Sequence, residues 1–208
     1  MQSELQGWAL RWFALRPTGK GVGALGQLRR QAGSDVRVRH TAESLSQDPI
    51  VSGIRRLFRE CGCDPTRYRP SSEALIRRIL KGDELPVIHP LVDLNNILSV
   101  QLAVPCCVID AATVSPPLSL RAGRAGETMQ SLRGLFPLEA KPLLEDRLGP
   151  FGTPITDSER VRVTNSTTEL WLVMYLPGMD LGSKADRILR EFLTAAPVAE
   201  LLNPNAPF

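Results

Sequence analysis

Asp93 and Asn96 stand three apart in the stretch LVDLNN, a spacing that puts both side chains on one face of a helix. A carboxylate and a carboxamide so placed can hold an ammonium group and orient a water molecule. The same residues have a plainer use, in which Asp93 caps the start of the helix and Asn95 and Asn96 bond to nearby backbone. His89, directly before Pro90, reads either as a base at the edge of such a site or as an ordinary loop histidine.

A second cluster lies in GPFGTPITDSER. Gly149 and Gly152 permit close backbone approach, and N–H groups exposed there can hold an oxyanion or a ribose. Asp157 and Ser158 follow, with Ser158 able to bond a water or a substrate, and Arg160 able to reach a phosphate or a carbonyl. The alternative is a polar hairpin loop with a surface arginine, and Thr164 fits a turn. The third cluster is TRYRPSSE, where Arg67, Tyr68 and Arg69 alternate charge with an aromatic ring. That order suits a stacked base with flanking phosphates at an unpaired RNA end, and Arg77 and Arg78 extend it. Affinity carried by such residues falls steeply with salt. A solvated approach to a helix is the competing reading.

The whole chain sets the bounds. Its 208 residues suit one domain with enough length for a core that needs neither metal nor disulfide. Lysine stands only at Lys20, Lys81, Lys141 and Lys184, so the rest of the 25 basic residues are arginine. Arginine makes planar two-pronged contacts with phosphate and carboxylate; a GC-rich genome produces the same bias. The four cysteines fall as CGC and CC, with no CxxC pair, so no metal and no cofactor are expected and the thiols fit a reducing compartment. No apolar run reaches the roughly 18 residues of a membrane span, and MQSELQGWALRWFALRPTGK lacks the basic-then-apolar order of a secretory signal. The expected location is cytoplasmic, with no membrane partner.

The elements that must position these clusters are legible in part. DPIVSGIRRLFRECG reads as a helix capped by Asp48, with Pro49 at its first position, a face of Ile50, Ile54, Leu57 and Phe58, and a stop at Gly62. SSEALIRRILKG reads as a second, capped by Ser71 or Ser72, with Glu73 in the first turn and a stripe of Leu75, Ile76, Ile79 and Leu80. PLVDLNNILSVQLA is the third and GSKADRILREFLTAA, capped by Ser183, the last. VPCCVID, PLSLRAG, ERVRVT and TELWLVMYL read as strands, the last two consecutive and joined at NST. VRVRH alternates like a strand, WALRWFAL fits a strand or a short helix, and TGKGVGALG reads as a turn because it lacks the order of a phosphate loop. Residues 122–150 read as loops with short pieces of structure, and the tail PNAPF as frayed. Helices first and strands later argue for an α+β domain.

Three segments together, DPTRYRPSSEALIRRILKG, LPVIHPLVDLNNILSVQLAVPCCVID and GPFGTPITDSERVRVTNSTTELWLVMYLP, resemble the B3/B4 domain, the tRNA-editing module of the phenylalanyl-tRNA synthetase β subunit. The similarity is closer to the stand-alone proteins that consist of that module alone. The resemblance covers roughly residues 45–178, carried by RYRPSSEAL, LVDLNN and DSERVRVT. It implies an α+β, B3/B4-like single domain in which a mixed β-sheet with surrounding helices holds a pocket. Residues 1–44 form a less assigned N-terminal part, and 45–208 the editing domain with its C-terminal helix.

The function so implied is trans-editing: hydrolysis by a positioned water of the ester on a mischarged tRNA. Freestanding deacylases of this kind include ones directed at arginine-like amino acids. The partner is the 3′ end of aminoacyl-tRNA, with an aminoacyl-tRNA synthetase as a further one. The alternatives are a non-catalytic tRNA- or synthetase-binding module and an amino-acid-binding protein. Two positions depart from the synthetase. Its histidine, two residues beyond a proline, corresponds to Cys107 when Pro105 and Asp110 are aligned, and its glutamate falls near Val173. Cys107 then lines the pocket or acts as a small apolar filler. Asp110 matches the family aspartate or ends a strand. Asp93, Asn96 and Ser158 remain the candidates for catalysis.

Overall fold

The apolar run LWLVMYL forms a strand, Leu170–Leu176, buried at every position. Its alternate side chains enter two different cores: Leu170, Leu172, Met174 and Leu176 on one face, Trp171, Val173 and Tyr175 on the other. A strand buried on both faces reads as a continuous apolar run, which is why this one was legible. The structure, a computed structural model, describes residues 2–178 and 181–203; the tail PNAPF lies outside the described residues.

In chain order the elements are β1 (Gln2–Ser3), β2 (Ala9–Pro17), α1 (Val22–Arg39), α2 (Pro49–Glu60), α3 (Ser71–Leu80), α4 (Pro90–Leu102) and β3 (Cys106–Asp110). Then come β4 (Ser119–Ala122), β5 (Thr128–Ser131), β6 (Gly134–Pro137), β7 (Pro142–Asp146), β8 (Gly149–Gly152), β9 (Leu170–Leu176), α5 (Gly182–Ala195) and β10 (Ala199–Asn203). The central sheet has the order β10-β2-β9-β3 and a second sheet β1-β4-β7-β8, while β5 and β6 form a separate hairpin. The central sheet is antiparallel throughout, and in the second β1 runs parallel to β4. This is an α+β domain. Helices α1, α3, α4 and α5 supply one core. The second sheet and α2 close the other face around Trp8, Trp12, Phe58, Phe151 and Tyr175. WALRWFAL resolves as strand β2, paired with β9 along its length.

Helix α2 forms as its residues dictate. Asp48 accepts from the Ile50 and Val51 amides at 2.8 and 3.1 Å, and Pro49 follows it, a cap worth about 1 kcal/mol. Val51, Ile54, Leu57 and Phe58 are its buried face. Helix α3 is entered through Pro70 without a side-chain cap. Ser72 instead is buried and donates to the Ala103 carbonyl. Helix α5 likewise has no side-chain cap, its N-cap position being Leu181 and not Ser183.

Three further expectations are corrected. The VRVR of VRVRH and the end of TGKGVGALG belong to helix α1, with His40 as its C-cap. Leu25, Ala32 and Val36 are buried and Leu28 packs beside them, a helical stripe that overrides the two-residue alternation of Val36 and Val38. Arg39 of this helix donates to the Val100 and Gln101 carbonyls, where a cation suits the C-terminal end of α4. ERVRVT is a 3-10 turn at Glu159–Val161 followed by extended chain. Val161 and Val163 are buried and Arg162 exposed, so the alternation is present but among the described residues no neighbouring strand pairs with it. Residues 122–150 hold four strands, β5 to β8, in place of mostly loop. Among the described residues no helix is long and apolar enough to cross a membrane.

Candidate functional site

Helix α4 is largely apolar because it is largely buried, Leu94, Ile97, Leu98 and Val100 facing the core. Its polar residues Asn95 and Asn96 therefore stand out, and both open onto a cleft of about 440 Å³. Cys106 and Val108 of β3 line it, as do Thr153, Ile155, Thr156 and Asp157 of the loop after β8. Arg69, Ala74, Leu75 and Arg78 at α3, Pro86 and Ile88 before α4, and Leu132 and Arg133 at the hairpin turn complete the walls with Arg162 and Val163. The three segments singled out in the sequence thus meet at one place. A larger depression of about 980 Å³ lies over α5, but Arg11 there is already bonded to Asp186 through two contacts of 2.8 and 2.7 Å.

Two acceptors at the cleft are enclosed and have no hydrogen-bond partner: Asn95 Oδ1 and Asp157 Oδ1. Asn95 is 7% exposed, and its amide nitrogen reaches only the Asn96 oxygen, at 3.5 Å. Asp157 is partly exposed as a residue, yet its Oδ1 is sealed. Burial raises its pKa to about 8, opposed by the Cys107 thiol and the Thr153 backbone. An enclosed acceptor left unpaired costs about 1–3 kcal/mol, so Asn95 Oδ1 favours a ligand that brings a donor, whereas the Asp157 carboxyl already meets the Cys107 thiol and the Thr153 backbone. The loop is rigidly made: Thr153 Oγ1 donates to the Thr156 carbonyl and accepts from the Ile155 and Thr156 amides.

The rim is basic. Arg69, Arg78, Arg133 and Arg162 line the cleft against the single carboxyl of Asp157. Among the described residues neither Arg133 nor Arg162 forms an ion pair, while Arg78 lies 3.6 Å from Asp83. Arg69 shares Glu73 with Arg55 and Arg77, so one carboxylate serves three guanidinium groups.

Several candidates serve elsewhere. Asp93 is buried beside the cleft, accepts from the Ile88 amide at 2.9 Å and lies 3.9 Å from Arg29; it is not free to bind an ammonium. His89 is the N-cap of α4, its Nδ1 accepting from Leu91 at 3.4 Å. Ser158 donates to the Gln130 carbonyl and accepts from the Arg160 amide, away from the cleft lining. Arg160 holds the sealed Asp146 carboxylate at 3.0 and 2.9 Å, so it is not available to a phosphate. Asp110 caps the 3-10 turn after β3 and accepts from Thr167. Cys107 points into the core closed by the second sheet and α2, and its neighbour Cys106 lines the cleft instead. Burial pushes the Cys107 thiol up, helped by Asp157.

Neither glycine offers an amide to the cleft. Gly149 turns between β7 and β8 with φ +109°. Gly152 makes room, since a Cβ there would come 3.2 Å from Asp157 Oδ1 and 3.5 Å from the Tyr175 hydroxyl. The Tyr68 ring is occupied by the buried Lys141 ammonium at 3.6 Å, by Arg67 at 5.2 Å and by the Phe136 edge, so it is not a free stacking platform. Arg77 is bonded to Glu73 at 2.8 Å. Asn95, Cys106, Thr153, Thr156, Arg133 and Arg162 were missed; the only signal available for Asn95 was its place beside Asn96. No group of three or more metal-ligating side chains occurs among the described residues.

Fold and cleft together define an α+β domain with a polar-floored, arginine-rimmed recess between a helix, a strand and a loop. The B3/4 domain family model matches residues 53–187, and the chain belongs to that family. Strand β2 and helix α1 lie outside the match. A solved N-terminal fragment of the phenylalanyl-tRNA synthetase β-subunit from Pyrococcus horikoshii is similar at 18% identity with a TM-score of 0.44, covering 56% of this chain and 43% of that one. No curated protein matches the sequence.

Proposed function

We propose that the chain is a trans-editing aminoacyl-tRNA deacylase, hydrolysing the ester of a mischarged tRNA with a positioned water. Membership of the B3/4 family supports a tRNA-related role. The observation that carries the reading is the enclosed, unpartnered acceptor Asn95 Oδ1 in a cleft that Asp157 also lines, under an arginine rim. An aminoacyl-tRNA supplies both chemistries: the ammonium of its aminoacyl group for the floor, the phosphates of its 3′ end for the rim.

In this reading Asp157, which loses its proton once the ammonium lies beside it, holds the ammonium together with Asn95, and Asn96 orients the water. The water oxygen attacks the ester carbonyl, the carbon–oxygen bond to the ribose breaks, and the ribose oxygen leaves with a proton. The ester is already activated, so positioning supplies much of the rate, up to about 7–11 kcal/mol in favourable cases. No acyl-enzyme is required. Partners beyond the tRNA, a synthetase among them, and a cytoplasmic location belong to this proposal.

The second reading, a tRNA- or synthetase-binding module without turnover, is favoured by one observation. The positions matched to the synthetase histidine and glutamate hold Cys107 and Val173, both core residues. Incubation with a panel of mischarged and correctly charged tRNAs separates the two. Loss of the ester from one mischarged species supports the deacylase. Binding of every charged tRNA with no release supports the module, and binding of an amino acid indifferent to tRNA removes both.

A further inference from the structure

Two large aliphatic side chains at the cleft mouth are left in solvent: Ile88 is 64% exposed and Leu132 49%, and both line the cleft. Scattered exposed aliphatics need no explanation. These two differ because each has its backbone fastened by an aspartate. The Ile88 amide donates to the buried Asp93 carboxylate at 2.9 Å. The Leu132 amide donates to the Asp157 carbonyl at 3.3 Å. Leu132 sits with Arg133 at the tip of the β5–β6 hairpin, a two-stranded sheet of its own. Such a hairpin is marginal alone. Here it is tied down by Ser158, whose hydroxyl donates to Gln130 at 3.2 Å, and within the turn by Ser131, which donates to the Gly134 carbonyl and accepts from the Arg133 amide. Asp93 and Ser158, which bind no ligand, thus hold the cleft's two aliphatic lips.

The lips are flanked by Arg133 on the hairpin and by Arg69, Arg78 and Arg162. Apolar contact beside several guanidinium groups, with one carboxyl in the lining, matches a nucleotide: a base has an apolar face, and its phosphates need cations. An acidic protein segment has the charge without the planar face. Val87 and Leu135, also exposed, do not line the cleft, so among the described residues Ile88 and Leu132 are the large exposed aliphatic side chains at its mouth.

Resting on the deacylase reading, we propose that Ile88 and Leu132 clamp the terminal nucleobase of the tRNA, with Arg133 on an adjoining phosphate. The bond to be cut then lies one ribose away from the clamp, over Asn95, Asn96 and Asp157. Asp93 and Ser158 are positioning residues for the two lips.

The test measures affinity for uncharged tRNA, intact or trimmed of its terminal adenosine, at fixed salt. Wild type is expected to bind the intact tRNA about tenfold more tightly than the trimmed one. The Ile88→Ala/Leu132→Ala double variant, with an unchanged melting temperature, is expected to bind both with the affinity wild type has for the trimmed tRNA. Arg133→Ala lowers affinity for both equally. A double variant that still distinguishes the two tRNAs, a wild type that never did, or a wild type that binds no tRNA overturns the clamp. Should the double variant melt lower, single Leu132→Ala gives the same comparison. Ester release is measured separately: release that persists in a protein indifferent to the terminal adenosine removes the clamp and leaves the deacylase, and a discriminating protein without release does the reverse.

Discussion

Cys107 on β3 and Val173 on β9 are register partners in the central sheet, and both side chains are sealed in the core that the second sheet and α2 close. These are the two positions that the resemblance matched to the synthetase's histidine and glutamate. The pair is displaced from the cleft by one residue of strand parity, since Cys106 faces the cleft. Any hydrolysis here therefore draws its polar groups from α4 and the 153–157 loop.

The thiols should be inert in the folded chain. Burial raises the pKa of Cys106 and of Cys107, and that of Cys63 to about 11. Cys61 is the one thiol not fully buried, and burial raises it as well. Titration with a thiol reagent at pH 8 is expected to modify Cys61 first and slowly, with ester release unchanged. Inactivation that tracks modification of Cys107 would restore the nucleophile that the packing removes.

Asp157 ties function to pH. Its carboxyl keeps a proton in the folded chain up to about pH 8, whereas the ordinary value is 3.8. Between those values the folded chain holds the extra proton, so this group lowers stability as pH rises across that window. Asp157→Asn should abolish ester release while raising the melting temperature, by an increment near zero below pH 4 that grows to a plateau above pH 8. Melting curves of both proteins across that range check it, and an increment that shrinks with pH refutes the assignment.

Much of the fold was legible where one residue type settled the matter. Asp48 with Pro49 starts α2, and the uninterrupted apolar runs of β3 and β9 announce strands buried on both faces. The site was legible as segments but not as side chains. Asp157 and Ser158, or Cys106 and Cys107, are adjacent, and which of each pair faces the cleft depends on a sheet register that no local pattern encodes. Asp93 looked catalytic because a carboxylate in a first turn looks the same whether it binds a ligand or the Ile88 amide. Strands β5 to β8 are four or five residues long and interrupted by glycine, proline and charge, which leaves little periodicity to detect.

Arg160 and Arg162 are two residues apart and do opposite work. Arg160 is bonded to Asp146, a fully sealed carboxylate that also accepts from the Ser115 and Leu148 amides. Arg160→Ala strands that charge and should cost about 3–5 kcal/mol of stability, with affinity for tRNA unchanged per folded molecule. Arg162 is exposed on the cleft rim. Arg162→Ala should leave the melting temperature alone and lower the salt slope of tRNA binding by about 1. Denaturant titrations and binding isotherms at several salt concentrations distinguish the two. An exchange of the two effects would mean that Arg160 meets the RNA.

Glu73 sets how much positive charge the cleft presents. It is 1% exposed, with Arg55 Nη1 at 3.0 and 2.9 Å from its two oxygens, Arg77 Nε at 2.8 Å and Arg69 Nε at 3.6 Å. One negative charge cannot neutralise three positive ones, and the excess faces outward through Arg69. Glu73→Gln keeps the shape and removes the anion, leaving three guanidinium groups in mutual repulsion. The expected cost is about 3–5 kcal/mol of stability, partly recovered in high salt, where repulsion is screened. RNA phosphates compete with Glu73 for the same guanidinium groups, so the folded variant should bind tRNA more tightly than wild type and with a steeper salt dependence. Affinity measured at matched folded fractions decides the point. If the variant binds more weakly, Glu73 acts chiefly by holding Arg69 in position, and the carboxylate and the RNA are partners in one network and not rivals for it.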